Sequence, residues 1–446
     1  MSAGEAGAQS YGPDGSAGND NFGPGIAYTQ LDAALLVYQE SNGRVGAVEP
    51  TMDLSVHGAD GRALTLGAVA DAVSGATPNG AVPSDLPQNF VTPLKPVGST
   101  ATVTGASGGS TIIHLPPTPG QIATAALGRQ YTVAPNTLPV DKGFHDRRGA
   151  VNFGWSQPVG SITDMGISAG FSRETDYQAI TTSVHADQTF NAGNTTLSLT
   201  LNGELDSSFP FGGIPTPLTQ MNAQFKSPTS RDKTQTGFVL GWTELVTRRW
   251  LMGLNYALDS QSGYQNDPYR IISVVDPQSG EPVQSLYESR PEHRLSQSLF
   301  WDNKFDWGSS VTELSLRYYA DSWGVRSTTA ELDHRFNLAS WVYLEPSVRW
   351  YDQKAADFFR YYLVGGQAIP AYASSDTRLG AFHALTYGAK IGFSLSKRSE
   401  IYLKAEYYGQ YGNGHPANAI GQLRQQNLFP GTTAGLVFMG YSWDFH

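Results

Sequence analysis

The chain has 446 residues, of which 40% are hydrophobic and only 15% charged, with no cysteine and a formal net charge of −10. The lack of cysteine excludes disulfides, thiolate metal sites and lipid-modified cysteine. The acidic balance, without a basic stripe, argues against a nucleic-acid partner. No run reaches the roughly 18 apolar residues that a transmembrane helix needs, so any membrane crossing must use strands.

The first 25 residues are rich in glycine and predict a flexible leader. Met1 to Glu5 lack the charged and apolar pattern of a secretion signal, so we expect a mature form from which such a signal was removed. Three predicted strands follow, over residues 27–40, 44–57 and 62–73.

The third predicted strand runs into the most specific chemical signal in the chain, which reads Asp71-Ala72-Val73-Ser74-Gly75-Ala76-Thr77. The run resembles the acceptor site, Asp-x-x-Ser/Thr-Gly-Ala-Ser/Thr, at which FAD:protein FMN transferases attach flavin to exported proteins. The resemblance implies a phosphoester of FMN on the Thr77 oxygen, in a cofactor site completed by Asp71, Ser74, Gly75 and Ala76.

The local chemistry around Thr77 suits such an attachment. Gly75 and Ala76 leave the backbone bare to an enzyme, and Pro78-Asn79-Gly80 predicts that the Thr77 hydroxyl lies on an exposed bend. The alternative is a strand end that runs into an ordinary turn, since such runs are common in loops. The stretch from Ala101 to Ser107 repeats only the second half of the pattern and lacks the acid, so Thr77 alone is predicted to carry flavin.

Residues 74–142 are rich in Pro, Gly, Ser and Thr and form a segment too long for an ordinary hairpin loop. One short helix is predicted in it, from Gln121 to Leu127. We expect this plug-like insert to fold into the lumen or over the mouth of the barrel that the other strands predict, and to carry the flavin. A disordered outer loop is the alternative.

The remaining predicted strands bring the total to about sixteen and cover residues 143–157, 162–173, 176–190, 194–206, 231–247, 249–260, 292–306, 309–321, 323–337, 340–352, 378–396, 399–409 and 432–445. Apolar and polar residues alternate along them, as in Leu197 and Leu199 against Ser198 and Thr200. Such alternation predicts one apolar and one polar face on each strand, which is typical of an outer-membrane barrel but also occurs in soluble sandwiches.

The lengths of the connections favour the barrel over the sandwich. Every second connection is short, as at Gly58 to Gly61, Arg248 and Lys397 to Arg398, whereas the other set includes five long segments beside three tight turns. Short periplasmic turns alternating with longer outer loops are typical of a transmembrane barrel, and an even strand count puts both termini in the periplasm. We therefore predict an all-β, antiparallel outer-membrane barrel over residues 26–446, in a single domain.

Aromatic residues support the same fold. Trp250, Trp307 and Trp341 lie at predicted periplasmic turns, where an amphipathic ring is typical of the membrane interface. The last strand alternates apolar and small or polar residues up to Phe445, and it resembles the aromatic C-terminal assembly signal of outer-membrane proteins, except that His446 follows.

Most of the chain resembles a family of bacterial outer-membrane barrels of unknown function. The resemblance rests on Leu36 to Arg44, on Asp71 to Thr77 and on Arg147-Arg148. Members are encoded near FMN transferases, thioredoxin-like proteins and small lipoproteins. The resemblance thus implies FMN as the cofactor, and an FAD:protein FMN transferase, periplasmic redox proteins and a small lipoprotein as partners, beside the lipid bilayer.

Other chemistry finds little support in the sequence. The nine histidines are scattered, so no metal site is predicted. The pairs Glu204 with Asp206 and Glu174 with Asp176 are explained equally well as solvated strand-end charges, so no catalytic acid and base are assigned.

The leading hypothesis is an outer-membrane flavoprotein of a Gram-negative bacterium that carries electrons between periplasmic partners and the outer membrane or exterior. It would be an electron-transfer protein more than an enzyme with its own substrate. A passive pore or transport barrel, and a structural docking barrel, both without flavin, are the alternatives.

Overall fold

A computed structural model of the protein describes residues 25–92, 100–104, 110–114, 129–221, 226–227 and 229–445. Sixteen strands form one closed, antiparallel barrel, in which each strand pairs with its neighbours in the chain. The predicted fold class is confirmed, and so is the strand count. The leader up to residue 24 and the helix predicted at Gln121 to Leu127 lie outside the described residues.

The barrel strands are numbered here in chain order. Their bounds are Ile26–Glu40, Gly46–Gly58, Ala63–Pro78, Val140–Pro158, Thr163–Arg173, Tyr177–Phe190, Thr195–Ser208, Arg231–Thr247, Trp250–Gly263, His293–Asp306, Ser310–Asp321, Arg326–Ala339, Val342–Lys354, Phe382–Ser396, Ser399–Gly412 and Thr432–Phe445. Each matches one predicted strand, with ends that differ by a few residues.

The first and last strands close the barrel. Their register runs from Thr29 opposite Phe445 to Glu40 opposite Ala434. Because the number of strands is even, the first strand begins at the same end of the barrel where the last strand finishes. That end carries the short turns, and the opposite end, hereafter the outer end, carries the long loops.

The alternation in sequence becomes two faces of one wall. Leu197, Leu199 and Leu201 on the seventh strand remain exposed on the outside, at 48%, 40% and 54% of their surface, while Thr196, Ser198 and Thr200 face the interior. A belt of exposed apolar side chains is unfavourable in water but favourable against lipid. The outer wall is therefore a membrane-facing surface.

Aromatic side chains gather at the short-turn end, as predicted. Trp250 stacks on Phe305 with ring centroids 5.4 Å apart, and Phe305 in turn stacks on Trp307 at 6.1 Å. Trp341 stacks on Phe393 at 6.2 Å. These rings lie where an aromatic belt meets the membrane interface.

The long loops at the outer end pack together into a structure that we call the outer cap. It consists of the described parts of the connections 79–139, 209–230, 264–292, 355–381 and 413–431. A three-stranded sheet lies within it, formed by Pro282–Tyr287, Ile271–Val275 and Leu363–Val364. Two further two-stranded antiparallel sheets, Gln88–Thr92 with Arg129–Val133 and Thr100–Thr104 with Ser110–His114, belong to the predicted insert.

The cap has its own hydrophobic core. Val82 from the predicted insert packs with Val275, Ala419 and Leu423, and Leu423 is fully buried. The part of the insert next to the third strand thus packs against the other outer loops, whereas residues 74–78 and 140–142 belong to the barrel strands themselves.

Helical structure in the described residues is limited to short 3-10 turns, at Ser41–Gly43, Asn191–Gly193, Thr377–Leu379 and Gly421–Gln425. Among those residues, none of the helices has the length and hydropathy needed to span a membrane.

Candidate functional site

The run from Asp71 to Thr77 lies on the third barrel strand, at its outer end. The strand continues to Pro78, and Thr77 pairs with Asp141 on the fourth strand. The Asn79 N–H extends this pairing by donating to the Pro139 carbonyl at 3.2 Å. The expected exposed bend at Thr77 is therefore wrong: the residue is half-buried within a ladder, because the fourth strand begins early enough to pair with it.

Asp71 forms an ion pair inside the barrel. Its carboxylate lies 2.6 Å from the Arg148 Nε on the opposing residue of the fourth strand, and an Arg148 Nη2 lies 3.3 Å from Glu49 on the second strand. One arginine thus connects three adjacent strands. In the folded barrel, Asp71 contributes to strand pairing.

Gly75 is required by the backbone geometry. Its φ of 139° is rarely adopted by other residues, and a Cβ there would overlap the carbonyl oxygen of Arg44 in the first outer turn. The neighbouring Ala76 N–H donates to that same carbonyl at 3.4 Å. Ser74 lies between Gly46 and His145 in the ladder, with its side chain exposed.

A small cavity of about 40 Å³ follows Thr77, beside Pro78 and Gly80. Arg44, Arg270 and Tyr361 line it, and Arg270 donates to the Pro78 carbonyl at 2.8 Å. Arginine side chains bind phosphate oxygens well, so the two arginines make this lining chemically suited to an anion. The cavity is far below the roughly 300 Å³ at which small-molecule pockets begin, so an isoalloxazine ring requires the cap to open.

Sequence reasoning missed a buried ionic cluster in the cap. Glu288 and Asp376 expose only 1% and 2% of their side chains, and Arg290 lies between them, with an Nη2 at 3.0 Å from each carboxylate. Arg378 holds Asp376 from the other side at 2.6 Å. The ion pairs tie the loop 264–292 to the loop 355–381.

The charges in this cluster shift each other's titration. Burial raises the pKa of Glu288 above its usual value, although the charge of Arg290 opposes the shift. Burial alone would also raise the pKa of Asp376, but the charges of Arg270, Arg378 and Arg290 hold it well below its usual range. Asp376 is thus a buried carboxylate that stays ionised.

A second group of carboxylates meets at the outer end. Asp146, Glu174 and Asp176 place carboxylate oxygens within 4.8 Å of one another. Glu174 is half-buried, so it is less solvated than a strand-end charge that faces open water. The pKa of Glu174 is raised to about 7, mainly by burial and next by the charge of Asp146.

The turn at Glu174 is therefore expected to weaken as the pH rises. The pKa of Glu174 in the folded state lies above its value of 4.5 in the unfolded state. Between these two pH values the folded state holds a proton that the unfolded state has lost, so the stability falls as the pH rises. We expect hydrogen-exchange protection of the 174–176 turn to be lower at about pH 8 than at about pH 5.5. Glu174→Gln should flatten this dependence; an equal loss of protection in that variant would contradict it.

The closed barrel has an apolar outer belt, a polar lining, short turns at one end and long loops at the other. These features define an outer-membrane β-barrel. The chain belongs to the DUF3570 family, described as a protein of unknown function, whose family model matches residues 20–443. No curated protein matches the sequence.

Several solved barrels are similar in architecture. The ferric enterobactin receptor PfeA is 12% identical, with 86% of this chain and 54% of that chain covered and a TM-score of 0.42. The siderophore receptor PirA from Pseudomonas aeruginosa is 10% identical, with 92% and 61% covered and a TM-score of 0.40. The toluene transporter TodX from Pseudomonas putida is 12% identical, with 94% and 89% covered and a TM-score of 0.36. The chain thus spans little more than half the length of the two receptors.

Proposed function

We propose that this barrel is an outer-membrane flavoprotein with FMN attached as a phosphoester to Thr77, which carries electrons between periplasmic redox proteins and the outer membrane or exterior. The observation that carries the proposal is the acceptor-like run from Asp71 to Thr77, continuous on one strand. Thr77 occupies the outer end of that strand, and the next residue, Pro78, lines a small cavity together with Arg44 and Arg270.

The attachment step balances with FAD as the donor. The Thr77 oxygen attacks the flavin-side phosphorus of FAD, the bond between the two phosphates breaks, AMP leaves, and the hydroxyl proton passes to a base of the transferase. The product is one FMN per chain. The flavin supplies one- and two-electron chemistry when bound, and Arg44 and Arg270 are the residues that would hold its phosphate.

The position of Thr77 supports a particular order of flavin attachment and barrel folding. Because Thr77 is half-buried, paired through its backbone with Asp141 and placed at the outer end of the barrel, the folded barrel holds it away from a periplasmic transferase. We therefore infer that the periplasmic transferase acts on the chain before the third and fourth strands pair. In that unpaired chain, Gly75 and Ala76 leave the backbone bare, as the acceptor pattern requires.

One flavin does not bridge the membrane. The apolar band of an outer-membrane barrel is about 25 Å tall, so electrons need a further carrier on at least one side. Periplasmic redox proteins, and a small lipoprotein, are the partners that we propose. The FAD:protein FMN transferase is the partner during assembly.

Thr77→Ala provides the decisive experiment. We expect the wild-type chain, co-produced with the transferase, to gain one FMN by intact mass and to fluoresce in a denaturing gel, whereas the variant gains none. Thr77→Ser should retain the flavin because the acceptor pattern accepts either hydroxyl. Ser107→Ala, in the incomplete second run, is the matched control and should also retain it.

Two outcomes would contradict the proposal. An unmodified wild-type chain beside an active transferase would remove the flavin and leave the passive pore or the docking barrel. Modification of a purified, folded barrel at the same rate as of the urea-unfolded chain would contradict the proposed order of events.

A further inference from the structure

Among the described residues, five aspartates without a basic partner line one side of the barrel interior, on strands whose neighbours carry ion pairs such as Arg148 with Asp71 and Lys233 with Asp206. Strand register places Asp32, Asp53, Asp164, Asp187 and Asp259 at positions that alternate with the lipid-facing apolar residues, so all five face the lumen. They lie on the first, second, fifth, sixth and ninth strands. We call this surface the acidic wall.

Aspartates on the acidic wall face each other directly. Asp32 lies opposite Asp53 in the pairing of the first two strands, and Asp164 lies opposite Asp187 in the pairing of the fifth and sixth. Like charges directly opposite on one face are destabilising. Gln30 donates to Asp32 at 2.9 Å, but within the described ranges no lysine or arginine forms an ion pair with any of these four residues.

The opposite wall is nearly balanced in charge. The inward basic residues of the tenth to fifteenth strands are mostly paired, as Arg294 is with Asp321 at 2.6 Å, and Lys404 with Glu406 at 2.8 Å. Glu345 accepts from both Arg335 and Lys390. The acidic wall therefore leaves the lumen with a net negative charge and a field directed across it.

Several inward charges remain accessible to solvent. Lys304 and Glu313 expose 46% and 45% of their side chains although both face the interior, and Arg349 exposes 49%. Asp53 and Asp164 on the acidic wall are exposed as well. Parts of the charged lining are thus accessible to water.

We infer that the lumen is an aqueous route for cations, with the acidic wall as its selectivity element. Mobile cations between the walls offset the repulsion of the opposed aspartates, and fixed negative charge on a low-dielectric wall concentrates counter-ions while it excludes anions. This activity does not depend on a flavin at Thr77. The ligand class is small cations, and neutral or anionic solutes are disfavoured.

The test is the reversal potential of the full-length barrel in a planar bilayer under a KCl gradient. We expect K⁺ to be preferred over Cl⁻ roughly tenfold. A variant with Asp32→Asn, Asp53→Asn, Asp164→Asn and Asp187→Asn should lose most of that preference and should still fold, because the changes relieve repulsion. The charge-balanced control, Lys304→Gln with Glu313→Gln, should keep it.

Three results would overturn the inference: no ion conductance, a preference for anions, or an unchanged preference in the fourfold asparagine variant. Thr77→Ala separates this activity from the proposed flavin. That variant should conduct with the same K⁺ preference as the wild type, so a failure of the flavin proposal leaves the selectivity result intact.

Discussion

Arg290→Ala is expected to destabilise the outer cap by about 3–5 kcal/mol, because removing one partner of a buried ion pair leaves an uncompensated charge in the protein interior. Glu288, of which 1% of the side chain is exposed, would lose its cation. Asp376 would still pair with Arg378 at 2.6 Å, so most of the lost stability would come from the unpaired charge of Glu288. The loops 264–292 and 355–381 should then open more often, while the barrel strands stay paired.

The measurement is hydrogen exchange of the cap together with limited proteolysis from the outer side. Arg360→Ala is the matched control, since Arg360 is an exposed arginine in the cap loop 355–381 whose guanidinium, among the described residues, donates to the Asp357 and Phe359 carbonyls and to no carboxylate. Its effect should stay within about 0.5 kcal/mol. Arg290→Ala combined with Glu288→Gln should recover part of the loss; if it opens the cap further, the charge explanation fails.

The cap cluster also illustrates what the sequence does not reveal. Glu288 and Asp376 are far apart in the chain, in loops whose polar residues are usually solvated. No local pattern indicates that the cap buries them together. The same holds for the acidic wall, because the meeting of Asp32 and Asp53 depends on the register of two strands, which the alternation alone leaves open.

The barrel itself could be predicted almost completely, for a physical reason. Membrane-facing and lumen-facing residues must alternate along every strand, and the parity of short and long connections follows from closing an even number of strands. The eighth strand, predicted over residues 231–247, is Arg231–Thr247 in the structure. Strand ends outside the membrane carry no such alternation. The third strand was therefore predicted to stop at residue 73 but continues to Pro78, because it pairs with Val140–Pro158 and with the first outer turn.

This extension changes how the acceptor-like run is interpreted. Asp71 and Gly75 both have structural partners in the folded barrel, namely Arg148 and the Arg44 carbonyl. Their presence alone does not require a transferase. Thr77 differs, since its backbone pairs with Asp141 and, within the part of the chain that the structure describes, its hydroxyl forms no hydrogen bond. The flavin proposal therefore depends on Thr77 more than on the rest of the run.

Gly75→Ala is expected to impair barrel assembly even when no transferase is present. A side chain at a φ of 139° costs roughly 1–3 kcal/mol in backbone strain, and the added Cβ would also overlap the Arg44 carbonyl, so the first outer turn must move away from the third strand. Gly149→Ala, on the fourth strand, is the matched control because its Cβ would meet no atom within 4 Å. We expect a lower urea midpoint and less folded barrel by gel mobility for Gly75→Ala alone. If both variants fold like the wild type, Gly75 is not required by the barrel, and recognition by the transferase becomes the better explanation for that glycine.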